Sequence, residues 1–161
     1  MNKDIVKYPS SVLRKKCEEV KDITPEIKEL GWDMVETMQE KEGVGLAAPQ
    51  VGETKKVIVV QAEKPLVFFN PKITKKTKKT ETAEEGCLSF PGLWLNVKRA
   101  RGVEVEAINQ NGEKIKIAME GFPARIFQHE IDHLNGILFI DRIGFWQRLK
   151  IKKQLKQHGL D

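Results

Sequence analysis

Long apolar runs are missing. Nothing in the 161 residues approaches the roughly 18 consecutive apolar residues that a membrane span requires, so no membrane partner is expected. The opening MNKDIVKYPS lacks the apolar core of an export signal, and its acids and lysines are not those of a transit peptide. The expected location is therefore the cytoplasm. Cysteine is scarce: Cys17 and Cys87 are the only two, which in a reducing compartment argues against a disulfide framework. Cys17 sits in the charged run RKKCEEV and is given no role. There is no internal repeat and no linker-like stretch. At 40% apolar and 32% charged residues, the chain has the composition of a globular domain with a core of its own.

The net charge of +5 invites a nucleic-acid reading, but its distribution matters more than its size. Residues Arg142 to Asp161 carry six Lys/Arg against one Asp, so the whole excess lies in the last twenty residues. The expected organisation is a main domain over 1–144 and a basic helical tail over 145–161.

Helical periodicity is present where Ile27, Leu30, Met34, Val35 and Met38 recur, predicting a helix over Thr24–Glu42 with Thr24 as cap, Pro25 at its first position and Gly43 as its stop. Lys56–Val60 and Leu66–Asn70 read as strands. ITKKTKKT, Ile73–Thr80, reads as a solvated loop. Val103–Ile108 and Glu113–Met119 alternate in polarity around Asn111-Gly112, a hairpin signal. Pro123–Asn135 is a second helix, with Ala124, Phe127, Ile131 and Leu134 as its apolar stripe and Gly136 as its stop. The fold expected is a single α+β domain, its mixed or antiparallel sheets packed around a central helix.

Gly43-Val-Gly45-Leu-Ala-Ala48 fits a dinucleotide-binding fingerprint, which works mechanically only after a strand and at the start of a helix. Here the order is helix, glycines, strand, the reverse of what a pyrophosphate cradle needs. The glycines instead suggest close approach of another backbone.

The second helix contains His129-Glu130-Ile131-Asp132-His133, an H-E-x-x-H. Residues four apart share one helical face, so both imidazoles can reach one metal ion, and Glu130 can reach a water beside it. A catalytic site with one open position needs a third ligand. No histidine follows until His158, and Glu130 cannot serve easily as both ligand and base. Cys87, beside Gly86, is the best remaining donor.

Three motifs taken together, GVGLAAPQ (Gly43–Gln50), EGCLS (Glu85–Ser89) and QHEIDH (Gln128–His133), carry a resemblance: the chain is similar to the peptide deformylases over nearly its whole length. It departs from common forms of that family at Pro49, where Thr often stands, and at Trp94, where some relatives carry a basic residue. The resemblance implies removal of the N-formyl group from the formyl-methionine of newly synthesised polypeptides, with release of formate. It implies Fe(II) as the metal on Cys87, His129 and His133, with Zn, Ni or Co able to substitute. It makes Glu130 the base, and gives the Gln50 amide and the Leu88 N–H to the formyl oxygen. Gly45, Glu85 and Gly86 would bind the peptide backbone, and Val44 and Ile126, with His129, would line a methionine pocket. Ribosome association through the basic tail is a further expectation; no DNA partner is expected. Two other readings stand beside this one, a zinc endopeptidase and a noncatalytic RNA- or ribosome-binding module.

Overall fold

The computed structural model describes residues 1–157; the last four residues of the basic tail, His158 among them, lie outside the described residues. Helix α1 (Pro25–Glu40) starts where the Thr24 hydroxyl accepts a hydrogen bond from the Ile27 N–H at 3.3 Å. It ends where Glu42 turns to φ 56° and the Gly43 N–H bonds back to Met38 O at 2.8 Å. Gly43 thus sits at the stop, but the left-handed residue is Glu42.

Strands β1 (Gly45–Ala47), β2 (Val57–Val60), β3 (Leu66–Lys76), β6 (Gly102–Asn109) and β7 (Lys114–Glu120) form a five-stranded sheet in the order β1-β2-β3-β6-β7. Strands β4 (Thr80–Cys87) and β5 (Phe90–Ala100) form a separate two-stranded sheet. Every pairing within these sheets is antiparallel. The sheet residues β2 contributes, VIVV, are all buried because both faces are covered. Val57 and Val59 pack with Met34, Val35 and Met38 of α1, whereas Ile58 and Val60 pack with Ala124, Phe127 and Ile131 of helix α2 (Phe122–Leu134). A run of β-branched residues suits a strand buried on both sides.

The segment ITKKTKKT is not a loop. Strand β3 continues through it to Lys76 and pairs Lys72 with Glu106, Ile73 with Val105 and Lys75 with Glu104 on β6. Opposite charges across the strands and the packing of Ile73 on the core offset the solvation of its lysines. The turn is confined to Thr77–Lys79. Asn70 lies at φ 51° and interrupts the strand; its side-chain amide bonds both backbone groups of Val20 at 2.8 Å. The Asn109–Lys114 hairpin is tied by the Asn109 side chain, which accepts from the Asn111 and Glu113 N–H groups.

Helix α2 is wedged between the sheets, every residue from Ala124 to Leu134 buried. Its apolar stripe faces the five-stranded sheet. Its polar side faces β4–β5, where Gln128 bonds both backbone groups of Ala100 and Arg125 donates to Val97 O. The fold is thus a single α+β domain around the helix that carries HEIDH. Helix α3 (Phe145–Gln157) follows a short turn, Phe139–Arg142, and packs against β5. Its apolar residues fall on no clean face, yet Ile151 is buried with Leu93, Leu95 and Phe139, and the Gln147 amide bonds both backbone groups of Asn96. No helix among the described residues is long and apolar enough to cross a membrane.

Candidate metal centre

Residues four apart on α2 bring the rings of His129 and His133 to a centroid separation of 5.2 Å. Cys87, at the end of β4, meets them from the other sheet, with Sγ 3.5 Å from His133 Nε2. The ligand atoms of Cys87, His129 and His133 all lie within 4.8 Å of one another. A thiol and two imidazoles converging this closely suit one transition-metal ion. His129 is oriented from behind: Glu85 Oε1 lies 2.9 Å from His129 Nδ1, which leaves Nε2 for the site.

Glu85 carries more than that one contact. Arg99 donates to both of its oxygens, at 2.8 and 3.0 Å, and Arg125 donates to Oε2 at 2.6 Å. Burial pushes the Glu85 carboxyl up, but hydrogen bonds from His129 and Arg99 outweigh it and bring the group down to about 2. The role expected for Glu85 toward the peptide is one for its backbone, since its side chain is engaged elsewhere. The residue lines the cavity described below, yet its carboxylate is committed behind His129 to three partners in the protein.

Glu130 is buried on the same helix, and its Oε2 has no hydrogen-bond partner among protein groups. Burial raises its carboxyl to about 7; a cation held by its neighbours would pull that value down. A buried carboxylate oxygen with no protein partner is poised for a water or a substrate group. Gln50 arrives from the turn Ala48–Val51 that follows β1. Its Oε1 accepts from the Ala47 N–H at 3.0 Å, which fixes the amide, so the NH2 points at Ser89 Oγ (3.2 Å) and Cys87 Sγ (3.5 Å).

Val44, Gly45, Gln50, Glu85, Gly86, Cys87, Leu88, Ile126, His129 and Glu130 line one cavity of about 520 Å³. Of the expected site residues only His133, fully buried beneath, does not reach its wall. Phe90, Leu93 and Phe122, not singled out in the sequence, add apolar wall, and Trp94, a departure from common family forms, is 64% exposed at the rim and lies over Gly86. A side chain at Gly86 would meet that ring at 2.6 Å. Gly45 is constrained by helix α2 itself, because a Cβ there would stand 2.7 Å from Glu130 Oε1 and 3.0 Å from Ile126. Gly45→Ala should therefore displace Glu130 and destabilise the fold by about 1–3 kcal/mol, the usual scale of overpacking. Thermal unfolding checks this, and an unchanged melting temperature with full activity would show that Glu130 has room to spare.

Arg99, left without a partner by the sequence, bonds Glu85 on one side and Asp132 Oδ2 on the other at 2.8 Å. One signal could have located it: Leu93, Leu95, Val97 and Arg99 alternate along β5, and all four are buried. An arginine on the inward face of a strand requires carboxylates opposite it.

A model of the polypeptide deformylase family matches residues 2–148. The chain belongs to the polypeptide deformylase family. It is 51% identical over 140 residues to a peptide deformylase of Desulforudis audaxviator, covering 86% of this chain and 91% of the relative. To that of Aquifex aeolicus it is 46% identical over 155 residues, covering 92% and 91%. Its fold is similar to the crystal structure of a peptide deformylase from Synechococcus elongatus in complex with actinonin, with a TM-score of 0.92 at 41% identity, covering 98% of this chain and 86% of that one. The deformylase reaction, removal of the N-formyl group from the formyl-methionine that begins a new polypeptide, is accordingly the activity of this chain, and it makes the chain a hydrolase of protein biosynthesis. The deformylase family implies a catalytic metal. The Cys87, His129 and His133 donors, with the unpartnered Glu130 oxygen beside them, fit such an ion.

Proposed function

We propose that deformylation takes place in this cavity with Glu130 as proton carrier, Gln50 and Leu88 as oxyanion donors, and Cys87, His129 and His133 holding Fe(II), a role in which Zn, Ni or Co can substitute. One observation carries the reading. A three-donor metal cluster, an unpartnered buried carboxylate oxygen and an amide NH2 fixed by its own backbone meet in a single cavity. When bound, the ion would supply Lewis acidity, making a water more acidic and polarising the formyl carbonyl. Glu130 accepts the proton of the attacking water at Oε2 and delivers it to the nitrogen of the breaking C–N bond, so that formate and a free amine leave. The Gln50 NH2 and the Leu88 N–H donate to the formyl oxygen as negative charge grows there.

The peptide binds as an added strand. Strand β1 is the edge of the five-stranded sheet and β4 is an edge of the two-stranded one, and the cavity is lined from both. An extended chain between them gains main-chain hydrogen bonds, through the Gly45 carbonyl and the Glu85–Gly86 backbone, that do not depend on sequence. This suits an enzyme that accepts many residues after methionine. The methionine side chain packs against Val44, Ile126 and the His129 ring. Formate release from short formyl-Met peptides tests the assignment. Cleavage of internal amide bonds without formate release would overturn it.

Cys87→Ser should lower metal affinity and activity together, because a hydroxyl is a poorer donor than a thiolate for such ions. Equilibrium dialysis against Co(II) reads the affinity directly, and an unchanged value in a folded variant would remove Cys87 from the ligand set. With Fe(II) in place, activity should also decay under air faster than with Ni or Co, since both iron and thiolate oxidise.

The division into a catalytic domain over 1–144 and a basic tail over 145–161 goes with a second role, contact with ribosomal RNA phosphates where new chains emerge, which sets the work of the enzyme in the cytoplasm. Cutting the tail away would be a poor test, since it removes buried Ile151, a loss of about 1.5–3 kcal/mol. Changing the exposed Lys150, Lys152, Lys153 and Lys156 to Gln leaves the packing intact. Hydrolysis of short peptides should then be unchanged, while ribosome binding weakens and loses part of its salt dependence. Equal ribosome affinity before and after the change would sink the idea.

A further inference from the structure

The charged chain behind His129 does not end at Glu85. Asp132 lies one turn along α2 from Gln128 and accepts from Arg99 Nη1 at 2.8 Å. The same carboxylate accepts a two-pronged contact from Arg142, with Nε 3.1 Å from Oδ2 and Nη2 2.9 Å from Oδ1. The side chains of Arg99, Glu85 and Asp132 are buried or nearly so, and that of Arg142 is 39% exposed. A continuous line of charge-assisted bonds therefore runs from the surface to the imidazole: Arg142, Asp132, Arg99, Glu85, His129. Three guanidiniums (Arg99, Arg125, Arg142) face two carboxylates in this cluster.

Arg142 belongs to the turn Phe139–Arg142, outside the helix and strands that hold the metal donors. We infer that Arg142 is a positioning residue for His129, acting through Asp132, Arg99 and Glu85. This rests on the reading of His129 as a metal ligand.

The physical reason is how the Asp132 charge is shared. With Arg142 in place, Oδ1 is taken by Arg142 alone and Oδ2 is divided between Arg142 and Arg99. Without Arg142, both oxygens draw on the Arg99 guanidinium. Arg99 binds Glu85 through Nε and Nη2 and Asp132 through Nη1, on one rigid plane. A pull from Asp132 therefore rotates the fork that fixes the Glu85 carboxylate. Glu85 is the partner of His129 Nδ1, so the tilt of the ring and the basicity of its other nitrogen follow. A residue that only tied the turn to the helix would lack this route, because its loss would lower stability and leave the ring alone.

The test is a Co(II) titration of the metal-stripped full chain, read by the d–d absorption of the bound ion, beside kinetics on a formyl-Met tripeptide. Arg142→Ala should raise the Co(II) Kd about tenfold, the lower end of the range for groups that orient metal ligands. It should also shift the absorption bands and lower kcat while KM stays. Arg142→Lys, which keeps the charge but loses the fork, should recover part of the affinity. His129→Ala separates the possible failures. If it leaves Co(II) binding unchanged, the ligand assignment itself is wrong. If it abolishes binding while Arg142→Ala keeps the original Kd and spectrum and only melts earlier, Arg142 is structural and the inference is overturned. Should the Ala variant not fold, an original Kd in Arg142→Lys would overturn it equally.

Discussion

Replacing Glu130 with glutamine should cut turnover by roughly a hundredfold or more while metal content stays near that of the unaltered chain. The amide has the same shape as the carboxyl and leaves Cys87, His129 and His133 untouched, but it cannot take a proton from water. The buried setting gives the carboxylate its value as a carrier. Burial and the charges of Glu85 and Asp132 raise it to about 7, against the opposing pull of His129 and Arg99. A metal cation alongside lowers it again, so the working pKa lies at or below that figure. The sign follows: the active form is deprotonated, and kcat/KM falls as pH drops through this pKa. Glu130→Gln should abolish that acid limb along with the rate. Formate release across pH, with metal content measured on the same samples, checks both. Full activity in a metal-loaded variant would take Glu130 out of the mechanism.

Gln50→Ala should cost on the order of 2.7–4 kcal/mol of transition-state stabilisation, the scale of a deleted oxyanion donor, and appear as a hundred- to thousandfold fall in kcat. The structure makes this a sharp test because the amide is held in one orientation. The Ala47 N–H occupies Oε1, so only the NH2 can face the cavity, where it already lies near Cys87 Sγ and Ser89 Oγ. A donor held in advance costs no reorganisation when charge develops on the formyl oxygen. Metal affinity should change much less than kcat, since the contact to sulfur is long. An unchanged rate would mean that the NH2 serves Ser89 and not the substrate.

Much of this molecule is written in local pattern. The stripe Ala124, Phe127, Ile131, Leu134 is buried against the five-stranded sheet, because a spacing near 3.6 residues puts those side chains on one face. Asn111-Gly112 sits at the hairpin turn, with Gly112 at φ 81°, a conformation open to glycine. Cys87 was reached by chemistry, since two imidazoles need a third donor, and it stands beside them. The lysine-rich segment misled for the opposite reason. Lys72 and Lys75 look like loop residues by themselves, and only Glu106 and Glu104, some thirty positions along the chain, make them a strand.

The sequence by itself determined the donor set, the helical face that carries two of the donors, and the family to which the chain belongs, because these depend on residue type and short spacing. The tertiary structure alone decided which nitrogen of His129 faces the site, which end of the Gln50 amide faces the cavity, and that the Glu85 carboxylate is held by Arg99, Arg125 and His129. Those choices rest on contacts between groups 14 to 44 positions apart along the chain, apart from the Ala47 bond that orients Gln50. A period of two or 3.6 residues carries no information over such separations. Burial supplies it: once α2 is wedged between the sheets, each charge on its polar side must find a partner on β4 and β5 or remain unpaired in the interior at a cost of several kcal/mol.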